Sequence, residues 1–252
     1  LLLENVSLAR GPLQGRGLHG VVTFDSLLPL STPPEQELAL AAIDSALPLT
    51  DGRLRFRVLP AGTMRIESLR ARLAQGVVRA RDQILDPMAD SNRLVLRAEG
   101  LSLPALAALS PLEQLEIDGT LSGAVPVVLA GRSVRIESAR LATETPGSLR
   151  WRPDDAPSAL SASDTPASLV VRALEHFRYQ KLGVTIDGQL GGDLMLELTL
   201  TGANPDLYGG HPVELNLTLT GALDTIVRRS LTGWQVPDRI RERISRFGEE
   251  SQ

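Results

Sequence analysis

The chain contains no cysteine, so neither a disulfide framework nor thiolate metal or redox chemistry is available to it. Aromatic residues make up only 3% of its 252 residues. That scarcity removes the stacking platforms on which nucleic-acid and sugar binders rely. Lysine is almost missing too: Lys181 is the single lysine among 26 basic residues, a skew that reads as GC-rich coding bias. With a net charge of −4 and arginines scattered between acids, the sequence offers no basic footprint for nucleic acid, which is excluded as a partner. No run of about 18 apolar residues is present to span a bilayer, and no signal peptide opens the chain. P-loop, GxSxG and HExxH motifs are absent as well, which weakens the case for an enzyme.

What is present is aliphatic. Hydrophobic residues account for 42%, enough to bury a core in one large all-β domain or two smaller ones. The chain starts abruptly in a strand-like pattern, "LLLENVSLARG", as a piece of a longer protein would, so any membrane anchor or export signal is expected upstream of Leu1. Asp-Gly pairs at Asp51, Asp118 and Asp187 read as turn signals, each followed by an alternating run. "RIES" recurs at Arg65 and Arg135, and together these echoes predict a repeat of roughly 70 residues. Repetition of one antiparallel unit argues for an extended sheet that grows by stacking.

Short helices fit the connections. "LSLPALAALSPLEQLE" starts at Ser102 and Pro104, and "SDTPASLVVRALEHFRYQ" has Asp164 as candidate N-cap and Pro166 in the first turn. In the second, Leu169, Ala173 and Phe177 fall on one helical face, with Val170 and Leu174 beside them. "STPPEQELALAAIDSAL" reads as strand, and "WRPDDAPSALSASDTP" as a surface loop. Residues 232–252 form an amphipathic helix and tail: Pro237 opens it, Ile240, Ile244 and Phe247 share a face, and arginines fill the rest. Packing on its own sheet is the favoured role for that helix, membrane-surface binding the rival.

Several chemical motifs dissolve on inspection. "GRGLHG" (Gly15 to Gly20) matches GxGxxG, but it runs into a strand pattern and lacks the helix N-terminus that would hold a pyrophosphate, so its glycines read as turn or bulge positions. His19, His176 and His211 are far apart and have no neighbour at metal-ligand spacing. Glu67 and Glu137 within "RIES", and Asn5 and Asn216 within NxS/T sequences, read as polar strand positions. No catalytic, cofactor or metal residue is assigned.

The positive signal is a stripe. In "LMLELTLTG", Leu194, Leu196, Leu198 and Leu200 point one way, and in "VELNLTLTG" Val213, Leu215, Leu217 and Leu219 do the same. The joining segment "GANPDLYGGHP" predicts an antiparallel pair with both rows on one face. Either helices seal that face as a core, or it stays partly open as a trough for acyl chains, each methylene of which gains about 0.8 kcal/mol on leaving water.

Three segments carry a family resemblance: "GRGLHGVVTFDSLLPLSTPPEQELALAAIDSALPLTDGRLRFRVL", "LEIDGTLSGAVPVVLAGRSVRIESARLATETPGSLRWRP" and "LGVTIDGQLGGDLMLELTLTGANPDLYGGHPVELNLTLTGALDTIVRRSL". They resemble the C-terminal region of the YdbH family, AsmA-like proteins of Gram-negative bacteria. Sister proteins of the TamB type share the groove architecture. The resemblance implies a bridge-like carrier with an inner-membrane anchor and a periplasmic β-groove for phospholipid. It also implies a small outer-membrane lipoprotein partner of the YnbE type that extends the sheet by strand addition. The "dicarboxylate transport" label that members have carried finds no compact cationic pocket in these residues. The expectation is one mainly β fragment over 1–252, an elongated, curved antiparallel sheet or half-open roll with short helices in its connections. The rival expectation is an envelope assembly module whose apolar face is sealed.

Overall fold

The computed structural model describes residues 1–11, 13–45, 47–109, 114–152 and 166–222. The first strands are β1 (Leu2–Arg10), β2 (Leu13–Val21), β3 (Ser26–Leu27), β4 (Leu30–Ser31), β5 (Gln36–Asp44) and β6 (Leu49–Val58). There follow β7 (Met64–Leu73), β8 (Gly76–Leu85) and β9 (Ser91–Ser102), then the helix α1 (Leu103–Ala107). Next come β10 (Leu115–Ile117), β11 (Thr120–Ala130), β12 (Ser133–Thr143), β13 (Gly147–Trp151) and the helix α2 (Pro166–Leu174). The last strands are β14 (Phe177–Gln189), β15 (Asp193–Ala203) and β16 (Val213–Ala222). Apart from the small β3–β4 pair, these strands form one antiparallel sheet of 14, in the order β1-β2-β5-β6-β7-β8-β9-β11-β12-β14-β15-β16. The strands β13 and β10 extend it beside β14, lying end to end with β12 and β11. Among the described residues the sheet is not closed: β1 pairs only with β2, and β16 only with β15.

Alternation makes one face of this sheet apolar throughout. A line of directly opposed residues runs Ala71, Val78, Ala98, Gly123, Leu141, Val184, Leu198, Leu217 from β7 to β16. Because opposed residues share a face, the leucine stripe belongs to the same surface as the core alanines and valines of the preceding strands. Ala139, Val134 and Ile66 lie outside the helix-covered cluster, yet each is at most 3% exposed. A sheet curled over its own apolar face explains this.

Bulges supply the curl. Both "RIES" tetrads lie at one, in β7 and β12, where the register slips by one residue against a neighbouring strand. In each copy the arginine binds an aspartate of the next strand: Arg65 Nη2 donates to Asp82 Oδ1 at 3.1 Å, and Arg135 Nη2 to Asp187 Oδ1 at 2.7 Å. Each glutamate reaches back two strands, Glu67 accepting from the Glu35 amide and Glu137 pairing with Arg93. The tetrad is thus a pin at a bend, a more specific role than a polar strand position.

The Asp-Gly pairs are not hairpin turns. Asp51 and Gly52 lie inside β6, and Asp187 and Gly188 inside β14, while Asp118 and Gly119 separate β10 from β11 along one line. Their ability to adopt positive φ, as at Asp51 (52°) and Gly119 (102°), is spent on irregularities within the sheet, not on reversals. "GRGLHG" is in β2, with Gly17 at φ 69° and irregular pairing to β1, and no helix follows it. The strand over "QELALAAID" is present as β5. The first helix is capped by Ser102, whose Oγ accepts from the Ala105 amide, and it is only five residues long. The second ends at Leu174, so Phe177 begins β14 rather than completing a helical face. Trp151, read as loop, closes β13 and is buried. Asp164 and the helix read at 232–252 lie outside the described residues.

Candidate functional site

The hairpin β15–β16 pairs Leu196 with Leu219, Leu198 with Leu217 and Leu200 with Leu215, while Leu194 opposes Gly221 and Val213 opposes Gly202. On the inner side β14 adds Leu182 opposite Leu200, Val184 opposite Leu198 and Ile186 opposite Leu196. A slip between Tyr179 and Lys181 inverts the alternation, so Phe177 and Tyr179 join Leu182 on the apolar face. The opposite face is polar: Thr199 Oγ1 donates to Asn216 Oδ1 at 2.9 Å, and Asn216 Nδ2 to Glu214 Oε1 at 3.1 Å.

Coverage divides the stripe in two. Leu194 and Leu200 are each 1% exposed and Leu215 5%, whereas Leu196, Leu198, Val213, Leu217 and Leu219 are half-buried. Leu200 and Leu215 belong to the main core with Leu149, Trp151 and Phe177, over which α2 packs Val170, Ala173 and Leu174. The helices therefore seal one margin of the apolar face, and the leucines beyond it retain access to solvent.

Two residues outside the stripe fasten that seal. Asn204, 5% exposed, follows β15 and donates from Nδ2 to the carbonyls of Arg172 (2.9 Å) and Ala173 (3.2 Å), the last turn of α2. Its Oδ1 accepts from the Asp206 amide at 2.8 Å, so the "GANP" segment both turns the chain and caps the helix. Replacing Asn204 by Ala strands those carbonyls beneath the surface and should cost about 1–3 kcal/mol. Chemical denaturation measures the loss, and hydrogen exchange should place the loosening in residues 166–174.

The second fastener is Tyr179, 1% exposed, whose hydroxyl donates to the Asp118 carbonyl. Space for its ring is made by two glycines, since a Cβ at Gly119 or Gly147 would stand 2.4 Å from the hydroxyl oxygen. Burial, and secondarily the Asp118 charge, raises the phenol above its ordinary pKa near 10. The spacing of Gly119, Gly147 and Tyr179 in sequence carried no sign of this meeting.

Chemistry of other kinds finds little purchase. Among the described residues no three histidine, aspartate or glutamate side chains converge as a metal site. His176 Nδ1 lies 2.8 Å from Asp206 Oδ2, and His19 Nδ1 donates to the Gly17 carbonyl at 3.2 Å. No helix among the described residues is long and apolar enough to cross a membrane.

An open sheet with one continuous aliphatic face suits hydrocarbon. The YdbH-like family model, described as intermembrane phospholipid transport protein YdbH, matches residues 1–245. The chain belongs to the YdbH-like family. No curated protein and no solved structure is significantly similar to it. YdbH-like proteins are lipid transporters of the cell envelope, and phospholipid is the cargo of the family. The antiparallel, unclosed β-sheet with few short helices is the framework this YdbH-like chain brings to that task.

Proposed function

We propose that the apolar face of the curled sheet is a conduit for phospholipid acyl chains, with Leu194, Leu196, Leu198, Leu200, Val213, Leu215, Leu217 and Leu219 as its lining near the last hairpin. The observation that carries this is the partial exposure of Leu196, Leu198, Leu217 and Leu219 on the face that also holds the buried Ala71, Val78, Ala98, Leu141 and Val184. The covered trio, Leu194, Leu200 and Leu215, supports the wall behind them. At about 0.8 kcal/mol per methylene, an acyl chain gains affinity from such a surface without any specific contact, so the conduit needs alternation and no catalytic group. The polar headgroup remains in water at the open side.

In this reading the full-length protein is anchored in the inner membrane, and the conduit crosses the periplasm of a Gram-negative bacterium toward the outer membrane. The outer edge of β16 is unpaired over ten residues among those described, which supports docking of a small outer-membrane lipoprotein of the YnbE type by strand addition. Coverage of the margin by α2 favours a second role there, a sealed assembly surface. Photo-crosslinking amino acids at Leu198 and Leu217 should capture phospholipid in cells, while one at Thr199, on the opposite face, should not. Capture at none of the three, with the protein expressed and folded, would sink the conduit.

A further inference from the structure

The polar face of the sheet carries a second pattern. Register aligns His19, Ala39, Arg53, Arg70, Arg79 and Arg97 as successive directly opposed partners on β2, β5, β6, β7, β8 and β9. Four arginines thus stand side by side across about 14 Å, at the roughly 4.8 Å spacing of neighbouring strands. Like charges directly opposed in a sheet destabilise it, so such a line calls for counter-charge. Acids meet it only in part. Glu37 pairs with Arg53 at 3.3 Å and Glu99 with Arg79 at 3.0 Å, while among the described residues no ion pair engages Arg70 or Arg97. The chain as a whole has a net charge of −4, so this is local segregation of charge.

Beside the unpaired Arg70 the face is hollow. Ala39, Ala41 and Gly52 have no side chains long enough to fill it, and the resulting recess of about 740 Å³ is walled by His19, Arg53, Arg70 and Arg72. Its one carboxylate, Asp51, is held by Arg72 at 3.3 Å. The walls therefore present three guanidinium groups, of which Arg53 and Arg72 already face Glu37 and Asp51 while Arg70 has no acid partner among the described residues, around a floor of Ala39, Leu40, Ala41 and Gly52.

We infer that this recess binds a phosphate-bearing anion, which bridges Arg70 to Arg53 and Arg72 and supplies the missing counter-charge. Guanidinium forks match the oxygens of a phosphate, and several exposed arginines acting together achieve what one exposed ion pair cannot. The ligand is a phosphate group, either free or on a lipid headgroup. Because the site lies on the face opposite the leucine stripe, it stands or falls independently of the conduit.

The test follows backbone amides by NMR during titration with inorganic phosphate at constant ionic strength, and in parallel floats the protein with vesicles of phosphatidylglycerol or phosphatidylcholine. Saturable shifts at Ala39, Gly52 and Arg70 that weaken about tenfold in Arg70→Gln establish the site with free phosphate as ligand. Flotation with phosphatidylglycerol alone, lost in Arg70→Gln, assigns the headgroup instead. Arg72→Gln provides a second variant should the first unfold, and Arg97→Gln, in the same line but outside the recess, should bind as the wild type does. The inference is overturned by the absence of both responses, by binding that Arg70→Gln and Arg72→Gln leave intact, or by an equal loss in Arg97→Gln, which would reveal net charge alone.

Discussion

Phospholipid recovered with the purified protein should fall at least about tenfold when Leu198 and Leu217 are both replaced by aspartate. The two positions are directly opposed on the apolar face, so the double substitution sets a pair of carboxylates at one level of the proposed conduit. Keeping an acyl chain two methylenes away from that level forfeits about 1.6 kcal/mol of hydrophobic gain, and 1.4 kcal/mol is already a factor of ten. Both leucines are half-buried, so the new charges reach water without a full desolvation penalty, and the like-charge cost across the pair is only about 0.2–1 kcal/mol. Thr199→Asp puts one carboxylate on the polar face of the same strand and should leave lipid content unchanged. Lipid extraction and mass spectrometry read the result, with circular dichroism to verify the sheet. A folded double variant that retains its lipid would show that this hairpin does not line the path.

Phe177→Ala should be the most damaging truncation for stability, at about 3–5 kcal/mol. The ring is fully buried, at the first position of β14, inside the cluster that α2 covers. A chain of this size lowers its melting temperature by roughly 2–4 °C per kcal/mol, so a fall of roughly 6–20 °C is expected in calorimetry. The half-buried Leu196 has less to lose, and its replacement by Ala should cost well under half as much. A loss below about 1 kcal/mol at Phe177 would mean that the sealed margin is loosely packed and that its helix is no fixed wall.

These two sites differ in how far the sequence disclosed them. Leu198 and Leu217 were legible as members of one face because period-2 alternation over eight residues sets both leucine rows on the same side of an antiparallel pair, whereas the register that opposes them was not. Phe177 reads in the sequence as part of a helical face because it stands four residues after Ala173. Periodicity could not tell that the helix stops at Leu174 and that a bulge then turns the ring inward. The Asp-Gly pairs misled for a related reason: positive φ is a local preference that serves a kink in a strand as readily as a turn.

Other features depend on contacts that no window along the chain contains. Asn204 caps a helix 31 and 32 residues earlier. The arginines at 53, 70, 79 and 97 read as dispersed among acids, and only the register of five strand pairings gathers them with His19 into one line. Their segregation onto one face needed no long-range information, since each occupies the polar phase of its own strand. Their alignment did.

The two "RIES" pins carry a consequence for how such a sheet varies. Each arginine and its aspartate tie one strand to the next beside a bulge, so the curl of the sheet is specified locally, hairpin by hairpin. An unclosed sheet places no condition on how many hairpins are joined. Curl and length are therefore independent quantities in this architecture: duplicating a hairpin should lengthen the sheet at constant curl, whereas exchanging Asp82 or Asp187 should alter the curl at constant length.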